Sequence, residues 1–296
     1  MNVFIIGGSY FLGKTLIDLI KDEHQVTVLN RGSRPLNLPS VQEIVGDRHD
    51  KTVLSGITGH FDAIIDFCAY KQGDIADLFD HLGATFDQYL FVSTCDVYER
   101  GLGRFLDEQA PLEYRDFGGE AGNYISGKVT LEKELKAKAL EKNVKETSIR
   151  PAFVYGPNNY APRESMYFYW LQKENAIIHP SDSTGEFQMV YAGDVAKCIS
   201  KCIGNPTAHH KAYNLAPQPM VTYDSFAELL HVVTRKDFVK QTISVEEIIN
   251  RGIPLPFPLT KEESNWYDGE KVLELIGSYT PLSDGLKSTY DFWCQE

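Results

Sequence analysis

The sequence opens with an apolar run, NVFII, followed without a linker by GGSYFLGK and then by Leu12, Leu16, Leu19 and Ile20 at helical spacing. A short apolar run bounded by glycines reads as a buried strand, and apolar residues three and four apart read as a helix with one apolar face. The chain is therefore expected to enter a strand, turn sharply and return as a helix. In that order Gly7 makes the tight turn and Gly13 lets the helix pack against the strand. The free N–H groups at the helix start, aided by the helix dipole, can then hold a pyrophosphate. The loop departs from the commonest pattern at Tyr10, which stands where a further glycine is usual.

QVTVLN, VQEIV, DAIIDF and QYLFVS read as further strands with helical patterns between most of them, and ETSIRP follows a long helix that starts near Asn123. Such alternation predicts an α/β fold, a Rossmann-type doubly wound parallel sheet covered on both faces. The 43% hydrophobic content of 296 residues can fill its core. After Pro157 the pattern loosens into aromatic-rich MYFYWLQ, then FQMVYAGDVAKCIS, then proline-punctuated RGIPLPFPLT. The expected division is a dinucleotide-binding domain over residues 1–156, with 186–216 returning to it, and a smaller substrate lobe from 157–185 and 217–296.

A net charge of −12 and the lack of a long basic tract argue against broad binding to nucleic acid or anionic membranes. No stretch approaches the length of a membrane span and no charged leader precedes the first strand, so a cytoplasmic location is expected. The five cysteines, Cys68, Cys95, Cys198, Cys202 and Cys294, are odd in number and scattered, which suits reduced thiols. Cys198 and Cys202 lie four apart on a predicted helix with no partner to complete a tetrahedral metal set, so packing is their expected role and no metal is expected.

The strongest chemical signal is YISGK, in which Tyr124 and Lys128 fall on one helical face one turn apart. A nearby ammonium favours a phenolate, which makes the tyrosine a base for an alcohol proton. Thr94, in LFVSTCDVY, sits at a strand end, where ligands of open α/β sheets bind, and its hydroxyl can orient a substrate oxygen or cap the strand end. On the same helix Glu132 with Lys136, and Glu134 with Lys138, are spaced as surface ion pairs. The second strand ends in LNRGSR, with Asn30, Arg31 and Arg34 but no carboxylate for ribose hydroxyls. Arginine there can neutralise a 2′-phosphate, so NADP is favoured and NAD remains the alternative cofactor.

In sequence order these pieces resemble the extended (atypical) short-chain dehydrogenase/reductase family, the NAD(P)-dependent epimerases and dehydratases. The resemblance runs through the Gly7–Gly13 loop, GDR at Gly46–Arg48, FVSTCDVY, DEQAP, NYISGKVTLEKE, IRPAFVYGP and DVAKCI. GGSYFLG and the following NRG resemble a subgroup with Arg in place of Tyr10, to which chloroplast stem-loop RNA-binding proteins are also similar. The resemblance implies catalysis by Thr94, Tyr124 and Lys128. It implies cofactor contacts from Gly7, Ser9, Tyr10, Phe11, Leu12, Gly13, Asn30, Arg31, Arg34, Asp47, Arg48, Cys68, Ala69, Lys128 and Pro151, and substrate contacts from Asp96, Phe153 and Asn158. Cys95 and Asp96 stand where dehydratases of the family carry an acid and a glutamate, and Phe153 stands where many nucleotide-sugar enzymes carry an asparagine for the diphosphate.

The function implied is oxidoreduction or epimerisation at a secondary alcohol or carbonyl of a sugar derivative. Tyr124 exchanges the proton, Lys128 lowers its pKa and holds the nicotinamide ribose, and Thr94 holds the reacting oxygen while hydride moves to or from the nicotinamide. The expected partners are a small-molecule substrate and, as an option, a second copy in a homodimer, with no membrane and no nucleic acid. The alternative is a dinucleotide-binding regulatory or RNA-binding module without turnover.

Overall fold

A computed structural model describes residues 1–295. Its main sheet has seven strands, β1 (Asn2–Ile6), β2 (Gln25–Asn30), β3 (Val41–Val45), β4 (His60–Asp66), β5 (Thr85–Val92), β6 (Lys145–Pro151) and β7 (Lys211–Leu215). They run parallel in the order β7-β6-β5-β4-β1-β2-β3. This is a Rossmann-type doubly wound sheet. The strand order reverses between β1 and β4, and ligands of such sheets bind outside the strand C-termini at that point.

Both faces of the sheet are covered, which explains the unbroken apolar run in β1. Val3 and Ile5 face a core shared with helices α1 (Phe11–Ile20) and, from later in the chain, Ala192–Cys202. Phe4 and Ile6 face the opposite core, with Leu54 of α2 (Lys51–Gly56), Leu78 of α3 (Asp74–His81) and Leu131 and Leu135 of α4 (Gly119–Lys142). Successive strand residues point to opposite faces, so each must be apolar. On α1 the buried arc runs through positions 12, 16, 20, 13 and 17. Ile17 is therefore buried, while Leu19, expected on that face, falls just outside and is exposed.

A second group of elements packs beside the sheet around an aromatic core. α5 (Glu164–Lys173) contributes Tyr167 and Phe168, and α7 (Tyr223–Thr234), which follows α6 (Ala192–Cys202), contributes Phe226. The proline-rich segment delivers Phe257, which stacks on Phe187 with ring centroids 4.0 Å apart. The short strand Phe153–Tyr155 pairs with Met189–Tyr191 and links this core to the end of β6. No helix among the described residues is long and apolar enough to cross a membrane.

α4 begins at Gly119, earlier than its apolar pattern suggests, and its charged residues do not form the expected pairs along its own surface. Glu132 is 1% exposed and accepts hydrogen bonds from Arg150 Nε at 2.9 Å and Nη2 at 2.5 Å. Arg150, at the end of β6, also donates to the Tyr98 hydroxyl at 2.7 Å. Glu134 accepts the Gly73 and Ala76 N–H groups at the start of α3, and Lys138 reaches across to Asp80. The spacing was right for pairs within the helix, but partners from neighbouring elements offer a fixed bidentate geometry that a flexible exposed lysine does not.

Removing one member of a buried ion pair leaves the other charged and unpaired, at about 3 to 5 kcal/mol. Glu132→Ala should destabilise the fold by that amount in urea titration. A change below about 1 kcal/mol would show that the Glu132–Arg150 pair is not what fixes α4 to the sheet.

Candidate active site

The loop between β1 and α1 is built on close approach. Gly7 has φ +86°, and a Cβ on it would stand 2.3 Å from Cys68 Sγ. A Cβ on Gly13 would stand 2.1 Å from the Cα of Gly8, so only glycine lets the helix lie this near the turn. Phe11 enters the helix with φ 47°, a conformation that costs a bulky residue about 1 to 3 kcal/mol and that clusters at functional loops. Tyr10 is extended at the helix N-cap and provides no side-chain cap. Its ring instead carries the guanidinium of Arg34, 3.6 Å from the ring centroid. Tyr10 is thus compatible with the turn and joins the loop to the end of β2 through a cation–π contact.

The residues after β2 and β3 divide into structural and free groups. Asn30 donates to Glu43 Oε1 at 2.6 Å and accepts the Gly32 N–H at 2.7 Å, so its amide shapes the turn. Arg31 and Arg34 are exposed and line the cleft. Asp47 accepts the His49 N–H and faces the His49 ring. Arg48 lines the cleft, yet its guanidinium is committed to the protein: Nη1 donates to both Asp66 oxygens at 2.8 Å and Nη2 to the Asp74 carbonyl at 2.7 Å. Asp66 in turn accepts the Cys68 N–H and the Tyr89 hydroxyl.

At the other end, Lys128 is 2% exposed and donates Nζ to the carbonyls of Ala69 and Val92, each at 2.9 Å. Burial pulls its pKa down to about 8, partly opposed by Asp66. Its Nζ lies 5.9 Å from the Tyr124 ring centroid and closer to Tyr70 and Phe91. Tyr124 is 40% exposed, but its phenol is pushed up by desolvation and by Asp96, against the pull of the Thr94 hydroxyl and Arg163. In the protein alone these influences favour the neutral phenol. Thr94 accepts the Asp96 N–H at 3.2 Å, capping the short turn that follows β5 while also lining the cleft.

One cleft of about 750 Å³ joins the two ends. It brings together Gly7, Ser9, Tyr10, Phe11, Leu12, Gly13, Asn30, Arg31, Arg34, Asp47, Arg48, Cys68, Lys128 and Pro151 with Thr94, Asp96, Tyr124 and Phe153. Two expected residues are elsewhere. Ala69 is buried and contributes its carbonyl to Lys128, and Asn158 takes a left-handed turn conformation while its neighbour Asn159 lines the cleft. The cleft also holds Ser93, His49, Tyr70, Tyr160 and Arg163, which the sequence did not single out. Ser93 directly precedes the proposed catalytic threonine at the strand end, a position that could have marked it. NNYAPRES carries no periodicity, and it gave no such mark to Tyr160 or Arg163.

These residues fit a dinucleotide. A glycine cradle that any Cβ would fill, N–H groups at a helix start, and exposed arginines at the end of β2 suit its phosphates. Ser93 Oγ is buried without a hydrogen-bond partner and lines the same cleft, available to a ligand's polar group.

A seven-stranded doubly wound sheet with a glycine turn at its first strand and a cleft across its switch point defines a Rossmann-type nucleotide-binding scaffold. The chain belongs to the NAD dependent epimerase/dehydratase family, whose sequence pattern matches residues 3–216. The chloroplast stem-loop binding protein of 41 kDa b from Arabidopsis thaliana is 27% identical over 244 residues, covering 77% of this chain and 61% of that protein. The chain thus spans less than two thirds of that relative's length. Among solved structures, UDP-glucose 4-epimerase from Thermotoga maritima, determined with UDP-glucose, superposes with a TM-score of 0.78 at 19% identity, covering 100% of this chain and 99% of that one. dTDP-glucose 4,6-dehydratase from Bacillus anthracis, determined with NAD, gives 0.78 at 15% identity, covering 100% and 97%. At these identities the likeness establishes the fold.

Lys128 titrates at about 8 in the fold against 10.5 in the unfolded chain, so between those values the unfolded chain binds more protons and stability rises with pH. NMR titration of side-chain-labelled lysines in the ligand-free protein should show one resonance, absent in Lys128→Met, with a midpoint near 8. A midpoint at about 10, the ordinary lysine value, would mean that the ammonium is solvated.

Proposed function

We propose that the protein is an NAD(P)-dependent oxidoreductase or epimerase acting on a secondary alcohol or carbonyl of a sugar derivative. The observation that carries this reading is Lys128, buried on two strand-end carbonyls one helical turn from Tyr124 and beside the Thr94 strand end. An ammonium has three donors, and two are taken here, leaving one for a ligand hydroxyl. A buried cation is costly, and a cleft without chemistry gives no reason to hold one there. The alternative of an RNA-binding or regulatory module draws on the name of one relative and leaves this arrangement unaccounted for.

In this reading the Gly7–Gly13 loop, Arg31 and Arg34 hold the dinucleotide, and the remaining Lys128 N–H orients its ribose. Bound oxidised dinucleotide supplies the two-electron redox chemistry and a positive ring charge. Thr94 donates to the substrate oxygen, and Tyr124, protonated in the fold, gives its proton to that oxygen or, where added positive charge lowers its pKa, accepts one. Residues 157–185 and 217–296 serve as the substrate lobe, closing the cleft with Tyr160 and Arg163. The neighbouring structures with UDP-glucose and with NAD support a sugar-linked substrate and a nicotinamide cofactor. The phenylalanine at position 153 removes the amide that would favour a nucleotide-linked sugar.

Tyr124→Phe should abolish turnover while leaving dinucleotide affinity within a few fold, as read by absorbance at 340 nm for net oxidoreduction, product chromatography for epimerisation and calorimetric titration of the cofactor. Unchanged turnover in the variant would remove Tyr124 from the mechanism.

Cofactor choice follows from the same geometry. Arg31 and Arg34 face the cleft without a carboxylate at the end of β2, so NADP should bind more tightly than NAD, and added salt should narrow the gap because exposed charges are screened over about 8 Å. Arg31→Asp exchanges a cation for an acceptor of ribose hydroxyls. At about 1.5 to 3 kcal/mol for a charged hydrogen bond, it should move the NADP to NAD affinity ratio by about tenfold or more. Equal affinities in the unmodified protein would assign both arginines to solvent.

A further inference from the structure

Among the described residues, the end of the cleft lined by Asp96, Tyr124 and Phe153 also holds a guanidinium without an anionic partner. Lys128 is occupied by two carbonyls, and Asp96 accepts from the Tyr267 hydroxyl at 3.2 Å and from Arg100 at 3.5 Å. Arg163 lines the same end. Among the described residues its one side-chain hydrogen bond runs from Nη1 to the Val154 carbonyl at 3.0 Å, and its guanidinium lies 5.2 Å from the Phe153 ring centroid. A guanidinium has five N–H donors in a planar fork, so most of this one is uncommitted.

The loop that presents Arg163 is fixed. Glu164 is 0% exposed and accepts the Gly156 N–H and the Asn159 side-chain amide, each at 3.1 Å. Asn159 in turn accepts the Ala161 N–H. These bonds turn the Glu164 carboxylate toward its own loop, and burial raises its pKa, so it is a poor neutraliser of its neighbour. Phe153 is held from behind by Phe187 and Phe257, which gives the guanidinium an immobile apolar wall. Water is partly displaced from such a place, and an unpaired cation there binds anions more strongly than one in open solvent. Arg163 and Tyr124 line the same cleft, and the guanidinium's charge favours the phenolate.

We propose that Arg163 docks an anionic group of the substrate, a carboxylate or a phosphate, close to the carbon that reacts at Tyr124, so that the substrate class is an acidic sugar derivative. This deepens the functional reading above and rests on it. The fork geometry matches either group bidentately, whereas a neutral hydroxyl would leave the charge unanswered.

The test uses the protein saturated with dinucleotide and three probes, D-glucuronate for a carboxylate, D-glucose 6-phosphate for a phosphate and D-glucose as the neutral control, each titrated by calorimetry or ligand-observed NMR. At least one anionic probe should bind about tenfold or more tightly than glucose, the value of one charge-assisted hydrogen bond. The carboxylate and phosphate arms tell which group is recognised. Arg163→Gln should erase that preference and leave dinucleotide affinity within about twofold. Arg163→Lys, which keeps the charge but loses the fork, should retain part of it and serves as the decisive variant if the glutamine form does not fold. An anion preference unchanged in the variant that folds, or an unmodified protein that binds glucose as well as both anions or binds none of the probes, would overturn the proposal. Failure to bind any dinucleotide in the unmodified protein would overturn the functional reading beneath it, and the two failures are therefore separable.

Discussion

The buried ammonium of Lys128, held on the carbonyls of Ala69 and Val92, is the contact on which the rest of the site depends. β4 and β5 are adjacent in the sheet, and the buried carbonyls of Ala69, three residues past the end of β4, and of Val92, the last residue of β5, both need a donor. One cation satisfies both and ties α4 across the two strand ends. Desolvation of the ammonium opposes this arrangement, so its persistence requires that both carbonyls and the helix be held by other forces.

Those forces are two further buried charge clusters, one on each side. On the β4 side, Asp66 accepts the Cys68 N–H and is clamped by Arg48, while Arg48 also holds the Asp74 carbonyl; together they fix the turn that carries Ala69. On the α4 side, Glu132 lies one helical turn beyond Lys128 and is gripped by Arg150 from the end of β6. Tyr124, Lys128 and Glu132 therefore fall at successive turns of one helix face. The outermost meets the cleft, the middle one meets the strand ends, and the innermost meets the sheet. Charges that resemble functional groups in the sequence are here divided between one set at the cleft and several that hold it in position.

That division marks the limit of what the sequence could disclose. The first strand, the glycine turn and the Tyr-x-x-x-Lys face were legible because each depends on residues close in the chain, where period and conformational need leave a local record. Glu132 was misread for the complementary reason. A lysine stands four residues away, whereas the arginine that takes it is on a different strand, and spacing carries no information about partners that distant in sequence. Arg48 was expected, from the resemblance, to contact the cofactor, and nothing in the spacing marked it as the partner of Asp66. Ala69 and Asn158 were each placed by motif position, and the structure turns a carbonyl inward at the first and exchanges the second for its neighbour Asn159. Leu19 shows the same limit on a smaller scale, since helical spacing defines a stripe but not where its edge falls.

The electrostatics of Tyr124 follow from this architecture. Lys128 donates to two carbonyls rather than to the phenol, and the largest influences on the phenol are burial and the Asp96 carboxylate, both of which favour the neutral form. Asp96 is itself held in place by Tyr267 and Arg100, so this influence is built into the fold. A tyrosine in such surroundings is suited to giving a proton to an oxygen that is gaining negative charge, as when a carbonyl becomes an alcohol. Removing a proton from an alcohol requires positive charge near the phenol to outweigh burial and Asp96, and the cations that line the cleft with it are Lys128, 5.9 Å from the ring centroid, and Arg163. If an anion occupies Arg163, the influence of that guanidinium is cancelled and the tyrosine is held more firmly as an acid. Occupancy of the cleft would then decide the direction of proton transfer: a cationic cofactor ring moves Tyr124 toward the base, and an anionic substrate group moves it toward the acid. An epimerase, which must run both directions within one turnover, could use a balance of this kind.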